Sequence, residues 1–461
     1  MKSRRDQVQA HAYVVSRLTA ALVRAEPDAP ESPLRRTGLG SFGGLMIGTL
    51  LVAAFLVWGL ISPAGKAAVL TQGELIMVNG TGARYIYADG VLRPVLNWSS
   101  ALLLTGGTTP MTAVSPASLA GIPQGAPLGI VGAPDSLPAA SALNTGSWLA
   151  CSQVSGGRPI VSLSVGAGSK VAQMPAGQAA VAGVSGTPYL LWNGRRLRID
   201  APWILNALGL NRAPVIAATQ AWLNAVPAGP DLQPLSVPGA GTVGPVLGGL
   251  RTRVGQILLV RNVGSPGELY VVTESGIAPV TATQAAVLLT SLDAEAAYAG
   301  AAAAPVPVSP AAIAHTPAVG VGLADGAGVP SAPPADYAPG GNVVPCMDYA
   351  GAGTSAPRLV FTAPPPGTPP VLGAPGVTAT PQSANLISVA PDGGALVRPQ
   401  AAPGVGGTSL FLVTDAGVKF PVPLAAVPAL GYSAGQAAPM PAALLGLLPT
   451  GAALDLAPLR G

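Results

Sequence analysis

The sequence predicts an α+β protein in which one N-terminal transmembrane helix precedes an elongated extracytoplasmic domain. Three observations support this fold class. A run without charged residues extends from Thr37 to Gly65, four later segments carry β-hairpin signals, and two cysteines stand far apart after the apolar run. Together they predict four hairpin-plus-helix repeats around a central β-rich core, with a pseudo-two-fold duplication.

Composition and charge exclude some classes of function. The 461 residues include 60 Gly and 50 Pro, which favours short strands joined by many turns. Much of the net charge of +4 comes from residues 1–36, which hold seven Lys/Arg and four Asp/Glu. The remainder is nearly balanced and offers no broad basic face, so we predict no nucleic-acid partner.

An amphipathic helix is predicted before the apolar run. Steps of three and four residues place apolar side chains on one stripe, formed by Val8, Ala12, Val15, Leu18 and Leu22. So short a helix cannot form a core alone, and its stripe needs a cover. We favour docking to a cytoplasmic partner, with the membrane headgroup region as the alternative. Residues 1–37 are therefore assigned to a cytoplasmic helix and linker.

Residues 38–62 are predicted to cross the membrane as a helix, because about 20 apolar residues suffice to span a bilayer. Arg35 and Arg36 directly precede the run, which favours a cytoplasmic N-terminus. The protein is then expected in the plasma membrane, with the bulk of the chain on the extracytoplasmic side. A cleaved signal peptide is the alternative, but its apolar region is usually about 7–15 residues long. We therefore expect an uncleaved, single-pass anchor.

Four segments after residue 66 share one pattern. An aromatic residue opens a short apolar strand, a glycine marks the turn, and a second strand leads into a helix-forming stretch. The turn glycines are Gly90, Gly194, Gly276 and Gly417, and the helical stretches are 99–104, 204–210, 283–292 and 424–430. Asp-Gly and Asn-Gly turns between apolar runs strongly favour hairpins, because both residues accept a positive φ.

These repeats define the expected domain organisation. Repeat 1 covers 66–133, repeat 2 covers 187–250, repeat 3 covers 254–322 and repeat 4 covers 408–461. The core comprises 134–186 and, with a Pro/Gly-rich linker, 323–407. Cys151 and Cys346 occupy equivalent positions in the two halves, where a pseudo-two-fold axis would bring them together. We prefer one disulfide, and two free thiols are the alternative.

The search for catalytic motifs is mostly negative. His11 and His315 lack the neighbours that a metal cluster or a catalytic relay needs. The stretch Gly166–Lys170 lacks the hydroxyl residue that follows lysine in a phosphate loop. Four tryptophans could stack on sugars, but a role in the core is preferred: Trp98, Trp192, Trp203 and Trp222. We predict no catalytic residue, no metal and no cofactor.

Several segments carry a resemblance to a known family: 7–24, 85–101, 129–138 and Trp148–Cys151. They resemble the EccB component of the type VII (ESX) secretion system, over essentially the whole chain. The resemblance implies a structural subunit that assembles with EccC (the motor ATPase), EccD, EccE and the mycosin protease. It also implies a periplasmic core that is joined by a disulfide, flanked by four repeats and involved in homo-oligomer contacts.

Two other functions stay open at this point. The repeats of the family are similar to cell-wall-binding repeats, so a membrane-anchored peptidoglycan-binding module is one alternative. Family members also carry an ATPase label, and ATP would be a cofactor only if that label holds. Lys170 is then the residue to test.

Overall fold

The computed structural model describes residues 4–25, 34–61, 70–107, 110–168, 171–262, 264, 267–319, 328–350, 356–371, 373–402 and 405–455. It consists of two compact units. One comprises residues 1–92 and 111–124, and the other comprises 93–110 and 125–461.

Two long helices open the chain, α1 (Arg4–Arg24) and α2 (Leu34–Ile61). Within the described residues, α2 alone is long and apolar enough to cross a membrane. The qualifying segment is Thr37–Gly59, with 23 residues, a mean hydropathy of 2.0 and no part buried inside the protein. A helix that is apolar all round requires an apolar environment, so α2 fits the predicted anchor.

The first sheet follows these helices. Its strands are β1 (Leu75–Val78), β2 (Arg84–Ala88), β3 (Val91–Pro94) and β4 (Met111–Val114), and helix α3 (Trp98–Thr105) intervenes before β4. The strand order is β3-β2-β1-β4, with β1 antiparallel to β2 and parallel to β4. Ile76, Leu92 and Val114 form its core. The turn between β2 and β3 has positive φ at both Asp89 and Gly90, as a tight hairpin turn requires.

The next elements in the chain are β5 (Ser147–Ser155), β6 (Arg158–Ala167), β7 (Ala172–Gln173), β8 (Gln178–Val184), β9 (Thr187–Trp192), β10 (Arg195–Arg198), α4 (Trp203–Ala207), β11 (Val215–Ala217) and α5 (Gln220–Ala225). Then come β12 (Val243–Leu247), β13 (Leu250–Arg253), β14 (Ile257–Val260), β15 (Glu268–Val272), β16 (Ile277–Val280), α6 (Ala282–Leu289), α7 (Leu292–Ala297), β17 (Val306–Val308) and α8 (Pro310–Ile313).

The last elements are β18 (Ala335–Asp336), β19 (Val344–Ala350), β20 (Arg358–Thr362), β21 (Leu386–Val389), β22 (Ala395–Ala402), β23 (Val405–Gly406), β24 (Leu410–Val413), β25 (Lys419–Val422), β26 (Ala438–Pro441) and α9 (Ala442–Leu445). Short 3₁₀ turns occur at Pro116–Leu119, Ala140–Ala142 and Ala434–Gln436.

A six-stranded sheet, which we call the central sheet, lies in the second unit. Its strand order is β21-β6-β5-β19-β20-β7. One of its faces contributes to the largest core cluster of the protein, which includes Trp148, Leu163, Met347 and Phe361. Because alternate residues of a strand point to opposite faces, the neighbouring positions, Cys151 and Cys346 among them, lie on the other face.

Three further sheets share the strand arrangement of the first sheet. They pair β8 with β9 and β11, β14 with β15 and β17, and β22 with β24 and β26. In each, the first strand is antiparallel to the second and parallel to the fourth, and the third strand extends the hairpin: β10, β16 or β25.

Two expected boundaries fall elsewhere in the structure. The boundary between residues 186 and 187 lies in the turn that joins β8 to β9, so β8 is part of the second repeat-like sheet. Likewise β22 precedes the boundary at residue 408 but pairs with β24. Neither strand begins with an aromatic residue, and the hairpin pattern, which starts at an aromatic residue, therefore excluded them.

Two local expectations need correction. Residues 424–430 form successive turns rather than an α-helix, because Pro428 has no N–H to donate within a helix. Positive φ is present at Gly90, Gly194 and Gly417 but not at Gly276. Gly276 is required for a different reason: a Cβ there would lie 2.2 Å from the carbonyl oxygen of Pro317.

Candidate functional site

The predicted docking stripe of α1 is exposed. Its large side chains have exposed fractions of 69% at Val8, 47% at Val15, 57% at Leu18 and 82% at Leu22. Ala20 is the one residue of the helix that is buried among its described side chains. The large side chains of the stripe are therefore uncovered by the rest of the described chain, and their docking to a partner stays a prediction.

The apolar surface of α2 is exposed as well. Phe42, Leu50, Phe55 and Trp58 all face away from the rest of the protein. Arg35 and Arg36 lie in the first turn of α2, and their side chains are outside the described set. Contact of this surface with water would be costly at roughly 25 cal/mol per Å², so a lipid or protein environment is required.

A disulfide joins the two halves of the central sheet. Cys151 on β5 and Cys346 on β19 are directly opposite each other in an antiparallel pair, and their sulfur atoms are 2.03 Å apart. Neither side chain is exposed, and they pack with Leu149 and Val360 in a small cluster. The predicted pairing of the two cysteines is therefore present in the structure.

An ion pair lies close to the disulfide, within the antiparallel pair of β19 and β20. The Arg358 guanidinium is 3.1 Å from the Asp348 carboxylate, which is 4% exposed. The two residues are opposite each other on β20 and β19. This pair neutralises a buried carboxylate that would otherwise be strongly destabilising.

On the other face of the central sheet, α5 is fixed by two long-range hydrogen bonds. The Trp222 indole Nε1–H donates to the carbonyl oxygen of Ala150 at 2.8 Å, and the Tyr349 hydroxyl donates to that of Ala225. Thr219 caps the helix by accepting from the Trp222 N–H. Burial raises the pKa of Tyr349, which keeps the hydroxyl protonated and able to donate.

Lys419 is a buried cation that our sequence analysis missed. Its Nζ donates to the carbonyl oxygens of Leu445 at 2.6 Å and Leu448 at 2.8 Å. Leu445 is the last residue of α9. The ammonium group of Lys419 therefore lies at the carboxyl end of this helix, where a cation interacts favourably. Burial lowers the pKa of Lys419 to about 8. The signal in the sequence is a single lysine within the otherwise apolar run 418–422.

The residues considered for chemistry remain dispersed. Among the described residues, no group of three His, Cys, Asp or Glu could hold a metal ion. Lys170 lies outside the described residues. Trp222 is fully buried, and Trp192 and Trp203 pack against the core of the second repeat-like sheet. The tryptophans of this region thus have the core role that the sequence analysis preferred.

The sequence profile described as "Type VII secretion system ESX-1, transport TM domain B" matches residues 2–458 of this chain. The chain belongs to the EccB family. The resemblance inferred from the sequence is therefore confirmed, over almost the whole length of the chain.

Curated EccB proteins are similar to this chain at a sequence identity below 30%. The chain is 29% identical over 335 residues to "ESX-2 secretion system ATPase EccB2" of Mycobacterium tuberculosis, covering 69% of this chain and 64% of that protein. It is 29% identical over 300 residues to "ESX-3 secretion system ATPase EccB3" of Mycolicibacterium smegmatis, covering 62% and 56%. The chain thus spans less than two thirds of the length of the curated relatives it matches.

Solved structures of EccB complexes have the same fold. A chain of an intact ESX-5 inner membrane complex matches with a TM-score of 0.64 and 25% identity, covering 100% of this chain and 95% of that chain. The EccB3 dimer from the ESX-3 core complex matches with a TM-score of 0.66 and 25% identity, covering 84% of this chain and 99% of that chain. The mixed α/β fold of this EccB family member is therefore shared with proteins of ESX membrane complexes.

Proposed function

We propose that this chain is a structural subunit of a type VII (ESX) secretion membrane complex and helps to shape the export path. The observation that carries the proposal is the match of the whole chain to a chain of an intact ESX-5 inner membrane complex. The exposed apolar helices support it, because they need an environment that the described residues do not supply.

In the proposed topology, α2 crosses the plasma membrane once and the N-terminus is cytoplasmic. Arg35 and Arg36 precede the apolar segment, as the distribution of basic residues in membrane proteins favours. The stripe of α1 then docks on a cytoplasmic partner, for which we propose the EccC, EccD or EccE component. The part of the chain that follows α2 lies in the periplasm, near the mycosin protease.

We further propose that the folded part arose by repetition of one four-stranded unit. Four sheets share one strand arrangement. The third strand of each also bridges, in parallel, to a later segment, in the pairs Leu92–Gln124, Arg196–Ala228, Ile277–Ala318 and Lys419–Thr450. A recurrent contact of this kind supports the repeats that we assigned around 66–133, 187–250, 254–322 and 408–461.

A pseudo-two-fold axis would pass between Cys151 and Cys346. Strands β5 and β19 are antiparallel at these residues, and each forms a hairpin with the next long strand, β6 or β20. The outer strands are exchanged, since β7 pairs with β20 and β21 pairs with β6, but the first pair is antiparallel and the second is parallel, so the equivalence is confined to β5, β6, β19 and β20. This exchange supports a duplicated core whose halves cannot separate while the sheet is intact.

Self-association is part of the proposed role. The solved relative from ESX-3 is described as an EccB3 dimer, and a scaffold of a symmetric complex needs contacts between its copies. We propose that this chain forms a homo-oligomer through the periplasmic part that follows α2.

We propose no enzymatic activity and no cofactor, although curated relatives are named ATPases. In a phosphate loop, a strand leads through glycines into a helix, whereas β6 and β7 are the elements on either side of the stretch that contains Lys170. ATP hydrolysis by the purified full-length chain, lost in Lys170→Ala, would contradict this part of the proposal. Retention of the folded part on purified cell wall would instead favour the wall-binding alternative.

The test is purification of the full-length tagged chain from native membranes, with identification of the co-purifying chains. We expect the other membrane components of one ESX complex. Deletion of residues 1–36 should abolish their recovery while the sheets that follow α2 remain folded. Intact complexes from the deletion would refute docking through α1.

A further inference from the structure

The hairpin formed by β12 and β13 is rigidly attached to the third repeat-like sheet. Leu247 is 1% exposed and packs with Leu258, Val272 and Ile277 of that sheet. The Thr252 hydroxyl donates to the carbonyl oxygen of Pro245 at 2.6 Å. A two-stranded hairpin is marginally stable alone, so this packed inner face is what holds it in place.

The opposite face of the hairpin consists of two valines and two arginines, and we call it the Arg/Val face. Val243 is opposite Arg253, and Val246 is opposite Arg251, so all four side chains lie on one side. Val243 is 83% exposed and Val246 is 64% exposed, and both arginines are exposed. Adjacent exposed apolar side chains beside arginines are typical of a protein interface rather than of a solvated hairpin.

The Arg/Val face lacks a carboxylate. Between residues 232 and 267 the sequence has three arginines and no Asp or Glu. The nearby acids lie elsewhere: Glu274 is against Gly239, and Asp293 accepts from the Val237 N–H.

Another exposed strand arginine shows the contrast. Arg198 on β10 is paired with Asp200 at 2.6 Å and with Asp231 at 3.5 Å. Arg253 donates instead to the carbonyl oxygen of Gly241 at 2.8 Å. No carboxylate of the described residues pairs with Arg251.

We infer that the Arg/Val face binds an acidic polypeptide segment of a partner protein, in which carboxylates stand beside apolar side chains. The inference rests on the proposed function, since the partner belongs to the same membrane complex. The carboxylates bind the two guanidinium groups, and each guanidinium group can donate two parallel hydrogen bonds to one carboxylate. The apolar side chains of the segment cover Val243 and Val246.

Two other occupants fit the face less well. A symmetric contact between two copies would place the same face on itself, and therefore arginines against arginines. A lipid surface usually selects Trp or Tyr near the headgroups, and no aromatic residue occurs between residues 223 and 269. A partner segment with the opposite charge meets neither objection.

The test places a photo-crosslinking benzoylphenylalanine at Val246 of the full-length chain in native membranes, with the adduct mapped by mass spectrometry. We expect an adduct on a different protein, in a segment that contains Asp or Glu. Arg251→Glu with Arg253→Glu should lower the adduct yield at least ten-fold. Arg251→Lys with Arg253→Lys should retain most of it, because the positive charges remain.

The matched control is Arg212→Glu, which reverses the charge of an exposed side chain outside the hairpin. It should leave the adduct yield unchanged. Changing the acidic residue of the mapped segment to lysine should restore the adduct in the Arg251→Glu, Arg253→Glu background. An adduct on a second copy, on lipid or on a basic segment, or no adduct, would overturn the inference. The same membranes test the proposed function separately through the chains that co-purify.

Discussion

The central sheet and the two N-terminal helices differ in how their apolar side chains are covered. The central sheet buries its large side chains and pairs Asp348 with Arg358 within the chain. Helices α1 and α2 leave most of their large apolar side chains exposed. The sheet should therefore be stable without a partner, whereas we propose that the helices depend on a membrane and a partner. The same contrast separates residues that determine stability from residues that determine assembly.

Removal of the disulfide should have the largest effect on the central sheet. Replacing Cys151 and Cys346 by alanine releases a loop with a sequence separation of 195 residues. On the chain-entropy account this costs about 3–5 kcal/mol. Thermal unfolding of the full-length chain in detergent measures the loss. A reductant should lower the midpoint of the wild type and leave the double variant unchanged, and equal midpoints without reductant would contradict the account.

Replacement of a buried and of an exposed tryptophan tests the same difference between the central sheet and the helices. Trp222 is fully buried and bonded to Ala150, whereas Trp58 of α2 is 73% exposed. Trp222→Ala should lower the free energy of unfolding by about 3–5 kcal/mol, because it leaves a cavity in the core. Trp58→Ala should leave the unfolding of the sheets that follow α2 unchanged. Similar losses from the two variants, measured by denaturant titration, would show that α2 and the sheet unfold as one body.

Burial of Lys419 predicts a pH dependence of stability that belongs to the second unit. Its pKa is about 8 in the folded protein and 10.5 by the reference value. Between these values the unfolded state binds more protons, so the stability contribution of Lys419 rises with pH and approaches about 1.4 kcal/mol per pH unit. Lys419→Met should remove this rise. The difference in unfolding free energy between the two proteins, measured from pH 8 to 10.5, should therefore change with pH, and a constant difference would contradict the buried charge.

Much of the architecture could be predicted from local signals. The uncharged run predicted α2, the Asp-Gly and Asn-Gly turns predicted two hairpins, and the positions of the cysteines predicted their pairing. Strands β8 and β22 were assigned to other segments, because their small apolar residues carry no turn or aromatic signal of their own. Their place depends on pairing with distant strands, which a sequence pattern does not contain.

The interactions that hold α5 and α9 were also beyond the sequence. Trp222 donates to Ala150 and Lys419 donates to Leu445, across separations that only the folded chain closes. Similarly, Gly276 has the expected residue type at the expected turn, but for close contact with Pro317 rather than for a positive φ. At this turn a glycine was expected from the sequence, whereas the close contact that requires it was not.

Substitutions in the stripe of α1 should have the smallest effect on stability and the largest effect on assembly. Leu18→Asp with Leu22→Asp changes two exposed positions of α1, and surface substitutions usually alter stability by less than about 0.5 kcal/mol. Gln9 is also exposed but does not belong to the stripe, so Gln9→Asp is the control. The most direct measurement purifies these full-length variants from native membranes and records both the unfolding midpoint and the co-purifying chains.

A structural subunit that docks through α1 predicts that the double variant keeps its unfolding midpoint and loses the other components of the complex, while Gln9→Asp retains both. Recovery of the intact complex with the double variant would contradict the account.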